Sequence, residues 1–131
     1  MNIVSIGVDL CEISRLSKLI SEHGDRFLKK VYTPREITYC SKKVNGMLNF
    51  AARFAAKEAL LKALGTGLAA ELNWKDVEVL NDAQGKPHFK FYGKVSRFIS
   101  GRKVLLSLTH TNDNALAFVV IQGKPFPKKK R

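Results

Sequence analysis

The chain has 131 residues, 45% of them hydrophobic, and no apolar run approaches the length of a bilayer span, so a single domain with a moderate core is expected. Lys and Arg number 23 against 11 Asp and Glu, a formal charge of +12, and two cysteines are too few for a disulfide framework or a zinc site. Five of the positive charges stand in the tail KPFPKKKR, so residues 1–123 still carry +7. A basic body favours a polyanionic partner: nucleic acid, an acidic protein or a phosphorylated small molecule. Charge does not choose among them. Residues 1–123 are read as the folded domain, and residues 124–131, broken by Pro125 and Pro127, as a disordered basic tail.

The opening MNIVSIGVDL shows no basic leader or small-residue cleavage site, which with free thiols predicts a cytoplasmic protein. It alternates as a strand. Val4, Ile6, Val8 and Leu10 share one face, and Asp9 lies on the other, near the strand end. Ile13, Leu16 and Ile20 then recur at helical spacing, with Gly24 as a stop. Thr33-Pro34-Arg35-Glu36 reads as a helix start, with Thr33 capping, Pro34 in the first turn and Glu36 completing a capping box.

The longest helix is expected from about Asn49 to Leu64, rich in Ala and Leu and ended by Gly65. A strand at Val77 and Val79, the turn NDAQGKP and a partner strand from His88 to Tyr92 form a hairpin. A short helix from Lys94 to Ile99 precedes two strands, KVLLSLT and ALAFVVI, joined by HTNDN. The fold class is α+β: one small domain with a mainly antiparallel sheet packed on helices.

Four features carry possible chemistry. On the long helix, Arg53 and Lys57 form one row and Glu58 and Lys62 another, roughly 140° apart around the axis. Two readings stay open: a core helix with two surface ion pairs, or two functional rows. Gly65-Thr66-Gly67 permits close backbone approach to a phosphate, or simply caps the helix, and lacks Walker spacing. Asp9 and Glu58 together would suit Mg²⁺, which takes one or two carboxylates plus substrate phosphate; alone, Asp9 would be an ordinary turn residue. His110, flanked by Thr109 and Thr111 at a strand end, is either a phosphate or proton-relay group or a turn histidine.

Taken in order, these segments resemble the bacterial holo-acyl-carrier-protein synthase family. IGVDLCEISR is similar to its N-terminal motif, RFAAKEALLKALGTG to its signature helix and loop, and GKP and SLTHT to two later segments; FLKKVYTPRE matches a more variable stretch. The match runs from about residue 2 to 122. Lys30 stands where the family often has Arg, and the tail after Gly123 is an addition.

The resemblance implies a 4′-phosphopantetheinyl transferase fold that assembles as a homotrimer with sites at subunit junctions. It implies transfer of 4′-phosphopantetheine from coenzyme A to a serine of acyl carrier protein, with Mg²⁺ and release of adenosine 3′,5′-bisphosphate. Asp9 and Glu58 would hold the metal, and Lys62 would neutralise charge on the transferring group. Arg53, Gly65, Thr66, Gly67, Pro87, His110 and Thr111 would embrace the nucleotide and its phosphates. Arg15, Arg26 and Phe27 would dock the acidic carrier protein. The runner-up is a small basic nucleic-acid-binding protein. Against it, Phe50, Phe54, Phe89 and Phe91 sit in core-like patterns and offer no stacking platform interleaved with Lys and Arg. Neither a membrane nor a nucleic-acid partner is expected.

Overall fold

A computed structural model describes residues 2–65 and 72–127. Strand β1 (Ile3–Glu12) leads into helices α1 (Ile13–His23), α2 (Asp25–Val31), α3 (Pro34–Ser41) and α4 (Gly46–Leu64). A short 3₁₀ turn (Trp74–Asp76) opens the hairpin β2 (Val77–Asn81) and β3 (Pro87–Phe91). Helix α5 (Gly93–Ile99) and strands β4 (Lys103–His110) and β5 (Asn114–Gln122) complete the described chain. All strand pairs are antiparallel, in a three-stranded sheet of order β1-β5-β4 and a separate β2-β3 pair. This is the expected α+β architecture.

Helix α4 is the central post. It buries Phe50, Ala51, Ala55, Ala56, Ala59, Leu60, Ala63 and Leu64, and small residues on both sides let the large sheet approach it closely. Ala115 and Ala117 of β5 are fully buried, and in β1 the position facing the helix is Gly7. A Cβ at Gly7 would stand 2.0 Å from the carbonyl oxygen of Ala59. No side chain other than hydrogen fits there. Ser5, on the same strand, donates its hydroxyl to the Ala63 carbonyl at 2.6 Å.

That packing decides which face of β1 points inward. Asp9 does lie opposite the row Ile6, Val8 and Leu10, but this apolar row is the outer one, 59%, 50% and 60% exposed. Val4, next to an irregularity between Ile3 and Ser5, leaves the row and packs against the core. The face with Gly7, Asp9 and Cys11 meets α4 because only it is slim enough to do so.

Two further expectations are corrected. Helix α4 starts at Gly46, three residues before Asn49; a Cβ at Gly46 would meet the Cys40 carbonyl at 2.6 Å, so the glycine lets the new helix begin tight against the end of α3. The residues of KPFPKKKR that are described are not loose. Phe126 stacks on Phe98 with ring centroids 4.9 Å apart, and the Arg102 guanidinium lies 4.3 Å over it while donating to the carbonyls of Lys124 and Pro125. Lys128–Arg131 lie outside the described residues. Of the two readings left open for α4, the described residues do not form surface ion pairs within its rows: Arg53 and Lys57 are buried, and Lys57 and Lys62 find partners on other elements. The capping box stands as expected, with the Thr33 hydroxyl accepting from the Glu36 N–H and the Glu36 carboxylate from the Thr33 N–H.

Candidate active site

The two rows of α4 open onto two different cavities. On the first side, β1 presents Asp9 toward the helix, and Lys62 Nζ donates to Asp9 Oδ1 at 3.0 Å and to the Val8 carbonyl at 3.1 Å. Glu58, one turn earlier on the same row, shares a cleft of about 270 Å³ with Asp9, Glu12, Arg15 and Phe54. Burial, and then the charge of Asp9, hold the Glu58 carboxyl above its ordinary range, while Lys62 pulls the other way. Asp9, Glu12 and Glu58 thus line one cleft with Arg15, and the Lys62 ammonium pairs with Asp9 at its edge.

This donor set fits a hard divalent cation. Glu58 is disfavoured as an anion by desolvation and by Asp9, which a cation would relieve, and oxygen ligands from two carboxylates are what Mg²⁺ takes when substrate phosphate supplies the rest. Among the described residues no cluster of three or more His, Cys, Asp or Glu offers a softer alternative. Cys11 also lines the cleft, but burial and then Asp9 push its thiol up to about 11, so it is protonated at neutral pH and does not act as a nucleophile.

On the second side, Arg53 is 3% exposed. Its Nη2 donates to Asn81 Oδ1 at 2.8 Å, its guanidinium lies 4.3 Å over the Tyr39 ring, and its Nε is buried with no hydrogen-bond partner. It lines a cavity of about 630 Å³ with Arg35, Tyr39, Lys42, Lys43 and Asn81. A cavity lined by Arg35, Lys42, Lys43 and Arg53 gathers four cationic side chains and suits an anion. Pro87 pairs with Asn81 across the hairpin, and Asn81 Nδ2 donates to the Gly85 carbonyl, so GKP is tied to the Arg53 partner.

His110 and Thr111 form a third group. They share a cleft of about 320 Å³ with Ile13 and residues 44–48 at the start of α4. The Thr111 hydroxyl accepts from the N–H groups of Asp113 and Asn114, which fixes the β4–β5 turn. Gly65 caps α4 at φ 86°, its N–H donating to the Leu61 carbonyl; Thr66 and Gly67 lie outside the described residues. Arg15 and Arg26 are exposed on α1 and α2. Phe27 is half-buried, its ring 6.4 Å from Tyr32 and 6.1 Å from Phe54, so it seats α2 on the core.

Within one chain, then, Asp9, Glu58, Lys62 and Arg15 come together, and Arg53 and Pro87 do not join them. Sequence reasoning missed Tyr39, Lys42, Lys43 and Asn81. The adjacent lysines of SKKV were the available signal; nothing local marked Asn81, which matters through a partner 28 residues away. The aromatics Phe50, Phe54, Phe89 and Phe91 belong to the core or pack against it, as expected, and give single-stranded nucleic acid no platform. No helix among the described residues is long and apolar enough to cross a membrane.

The profile of the 4′-phosphopantetheinyl transferase superfamily matches residues 5–119. The chain belongs to this superfamily. Its relatives within the superfamily include the holo-[acyl-carrier-protein] synthase of Koribacter versatilis, 44% identical over 123 residues, spanning 92% of this chain and 98% of that protein. The corresponding enzyme of Geotalea daltonii is 43% identical with the same coverage. Among solved structures, holo-[acyl-carrier-protein] synthase from Neisseria meningitidis superposes with a TM-score of 0.84 at 33% identity, covering 92% of this chain and 99% of that one. The Bacillus anthracis synthase, solved in complex with coenzyme A, gives 0.77 at 35% identity, covering 93% and 98%. The transferase fold of these structures is the fold of this chain.

Proposed function

We propose that this transferase moves 4′-phosphopantetheine from coenzyme A to a serine hydroxyl of an acidic acyl carrier protein, with Mg²⁺, and that it works as a homotrimer. The observation that carries the reading is that Asp9 and Glu58 share one cleft of a superfamily member, with Lys62 bonded to Asp9. Asp9 and Glu58 would hold Mg²⁺, which when bound supplies positive charge against the coenzyme A diphosphate. The carrier serine oxygen forms a bond to the phosphorus that bears pantetheine. The bond from that phosphorus to the oxygen of adenosine 3′,5′-bisphosphate breaks, and the serine proton is released. Lys62 stands beside Asp9 to neutralise charge on the transferring group. Glu58, acting through a bound water, is our candidate for helping to take the proton.

The cavity of Arg53, with Lys42 and Lys43, supports binding of the nucleotide phosphates, and His110, Thr111, Pro87 and Gly65–Gly67 would complete that embrace. In one chain the Arg53 cavity and the Asp9–Glu58 cleft open from different rows of α4. A junction between copies removes this separation. The outer face of the three-stranded sheet supports such a junction, since it leaves Ile6, Val8, Leu10, Leu105 and Phe118 between 40% and 60% exposed side by side. Exposed Arg15 and Arg26 suit an acidic carrier.

The test is direct. The protein, coenzyme A, Mg²⁺ and apo-carrier are incubated, and carrier mass is followed beside coenzyme A consumption. Loss of coenzyme A with a matching mass gain, abolished by a chelator, is the expected result. No gain, or the same gain with the chelator present, would overturn the reading.

A further inference from the structure

Lys57 and Glu36 form an ion pair that the proposed chemistry does not use. Their side chains are 1% and 0% exposed. Taking two charges out of water opposes folding unless their protons and lone pairs are well matched. Here they are. Lys57 Nζ donates to Glu36 Oε1 at 2.6 Å, to the Val31 carbonyl at 2.6 Å and to the Trp74 carbonyl at 3.3 Å, which accounts for all three ammonium protons. Glu36 also accepts the Thr33 N–H at Oε1 and the Val79 N–H at Oε2, at 2.9 and 3.0 Å. From Thr33 the network continues to Glu78, which takes the Thr33 hydroxyl, Arg35 and the Tyr92 hydroxyl.

These partners sit on the elements that frame the Arg53 cavity. Lys57 follows Arg53 by one turn on the same row of α4. Val79 precedes Asn81 by two residues on β2, and Asn81 is the acceptor for Arg53. Glu36 opens α3, which carries Arg35 and Tyr39 to the cavity wall. The buried pair therefore ties the helix row bearing Arg53 to the strand bearing Asn81, through one shared carboxylate.

We propose that Lys57 and Glu36 are positioning residues for the nucleotide pocket: their pair fixes β2 and α3 against α4 so that Asn81 holds the Arg53 guanidinium at the cavity wall. The proposal rests on reading the Arg53 cavity as the seat of the coenzyme A nucleotide. A purely structural pair would lower thermal stability and leave the affinity of the folded protein unchanged. A positioning pair changes affinity in protein that is still folded.

Binding of adenosine 3′,5′-bisphosphate is measured by calorimetry, without carrier protein, on wild type, Glu36→Gln, Lys57→Met and Arg53→Ala. All are held at a temperature where circular dichroism and sedimentation match wild type. Glu36→Gln keeps the volume but turns an NH₂ toward the Val79 N–H, releasing the β2 end. Lys57→Met releases the helix end, and either variant that folds decides the matter. Both are expected to bind at least about tenfold more weakly, as small misplacement of a binding group allows, with the KM for carrier protein unchanged. Wild-type affinity in a folded clamp variant, beside lost affinity in Arg53→Ala, overturns the clamp alone. Wild-type affinity in Arg53→Ala overturns the nucleotide assignment of this cavity, and the clamp with it.

Discussion

Gly7→Ala tests the contact on which the metal-side cleft depends. The added methyl would lie 2.0 Å from the Ala59 carbonyl oxygen, 3.0 Å from its carbon and 3.0 Å from the Ala63 nitrogen. All three are backbone atoms of α4, so no side chain can swing aside. Ordinary contact begins near 3.4 Å, and β1 must therefore retreat from the helix by more than an ångström. Overpacking of this kind costs about 1–3 kcal/mol, and a rigid backbone obstacle places it at the upper end, ~3 kcal/mol. Alanine's lower unfolded-state entropy returns only ~0.4–1 kcal/mol. At a few degrees per kcal/mol for a domain of this size, the melting temperature should fall by roughly 10 °C. The same retreat stretches the Ser5–Ala63 bond below and the Lys62–Asp9 pair above, which now stand at 2.6 and 3.0 Å. Transfer should therefore drop even where circular dichroism reports a folded protein. Ser5→Ala, which loses one hydrogen bond of about 1 kcal/mol, serves as the mild control. A Gly7→Ala protein melting within about 2 °C of wild type, with normal kcat/KM, would refute the close-packing argument.

Asp9→Ala and Glu58→Ala should each abolish transfer while the fold persists, because each removes one of two protein ligands; near-normal turnover at saturating Mg²⁺ would exclude them as ligands. Glu58→Gln separates charge from shape. A carboxyl raised in the folded state costs stability once pH exceeds its unfolded value near 4.3, and the cost is fully present above its folded value, so this variant should melt at or above wild type at pH 8 and match it in acid. A lower melting temperature at pH 8 would mean that the carboxylate is stabilised by a partner. Arg15→Glu should raise the KM for carrier protein far more than that for coenzyme A, and wild-type efficiency should fall as salt shortens the Debye length from ~10 Å to a few Å; equal effects on both substrates would make Arg15 structural. Phe118→Lys, opposite Val8 on the exposed sheet face, should yield monomers in sedimentation, and persistent trimers would remove that face from assembly.

Signals spanning a few residues were legible without coordinates. Thr33, Pro34 and Glu36 specify a helix start because a capping box closes within one turn, and Gly24 and Gly65 mark helix ends because only glycine takes the required positive φ cheaply. The alternation in β1 placed Asp9 opposite Ile6, Val8 and Leu10, and the spacing in α4 put Glu58 and Lys62 on one row. What alternation cannot say is which face turns inward. An apolar row usually marks the core, but here the slim face with Gly7 meets an alanine-rich helix and the apolar row is left outside. Likewise the sequence marks Glu36 as a cap, while its bonds to Lys57 and Val79 exist only because α3, α4 and β2 converge. Arg53 was visible as a charge, but its burial, its Asn81 partner and its free Nε were not. Local hydrogen bonds and periodicity depend on neighbours within about four residues and are written into the chain. Facing, burial and partnership across 20 to 60 residues depend on how closely whole elements can approach, and that only the packed structure decides.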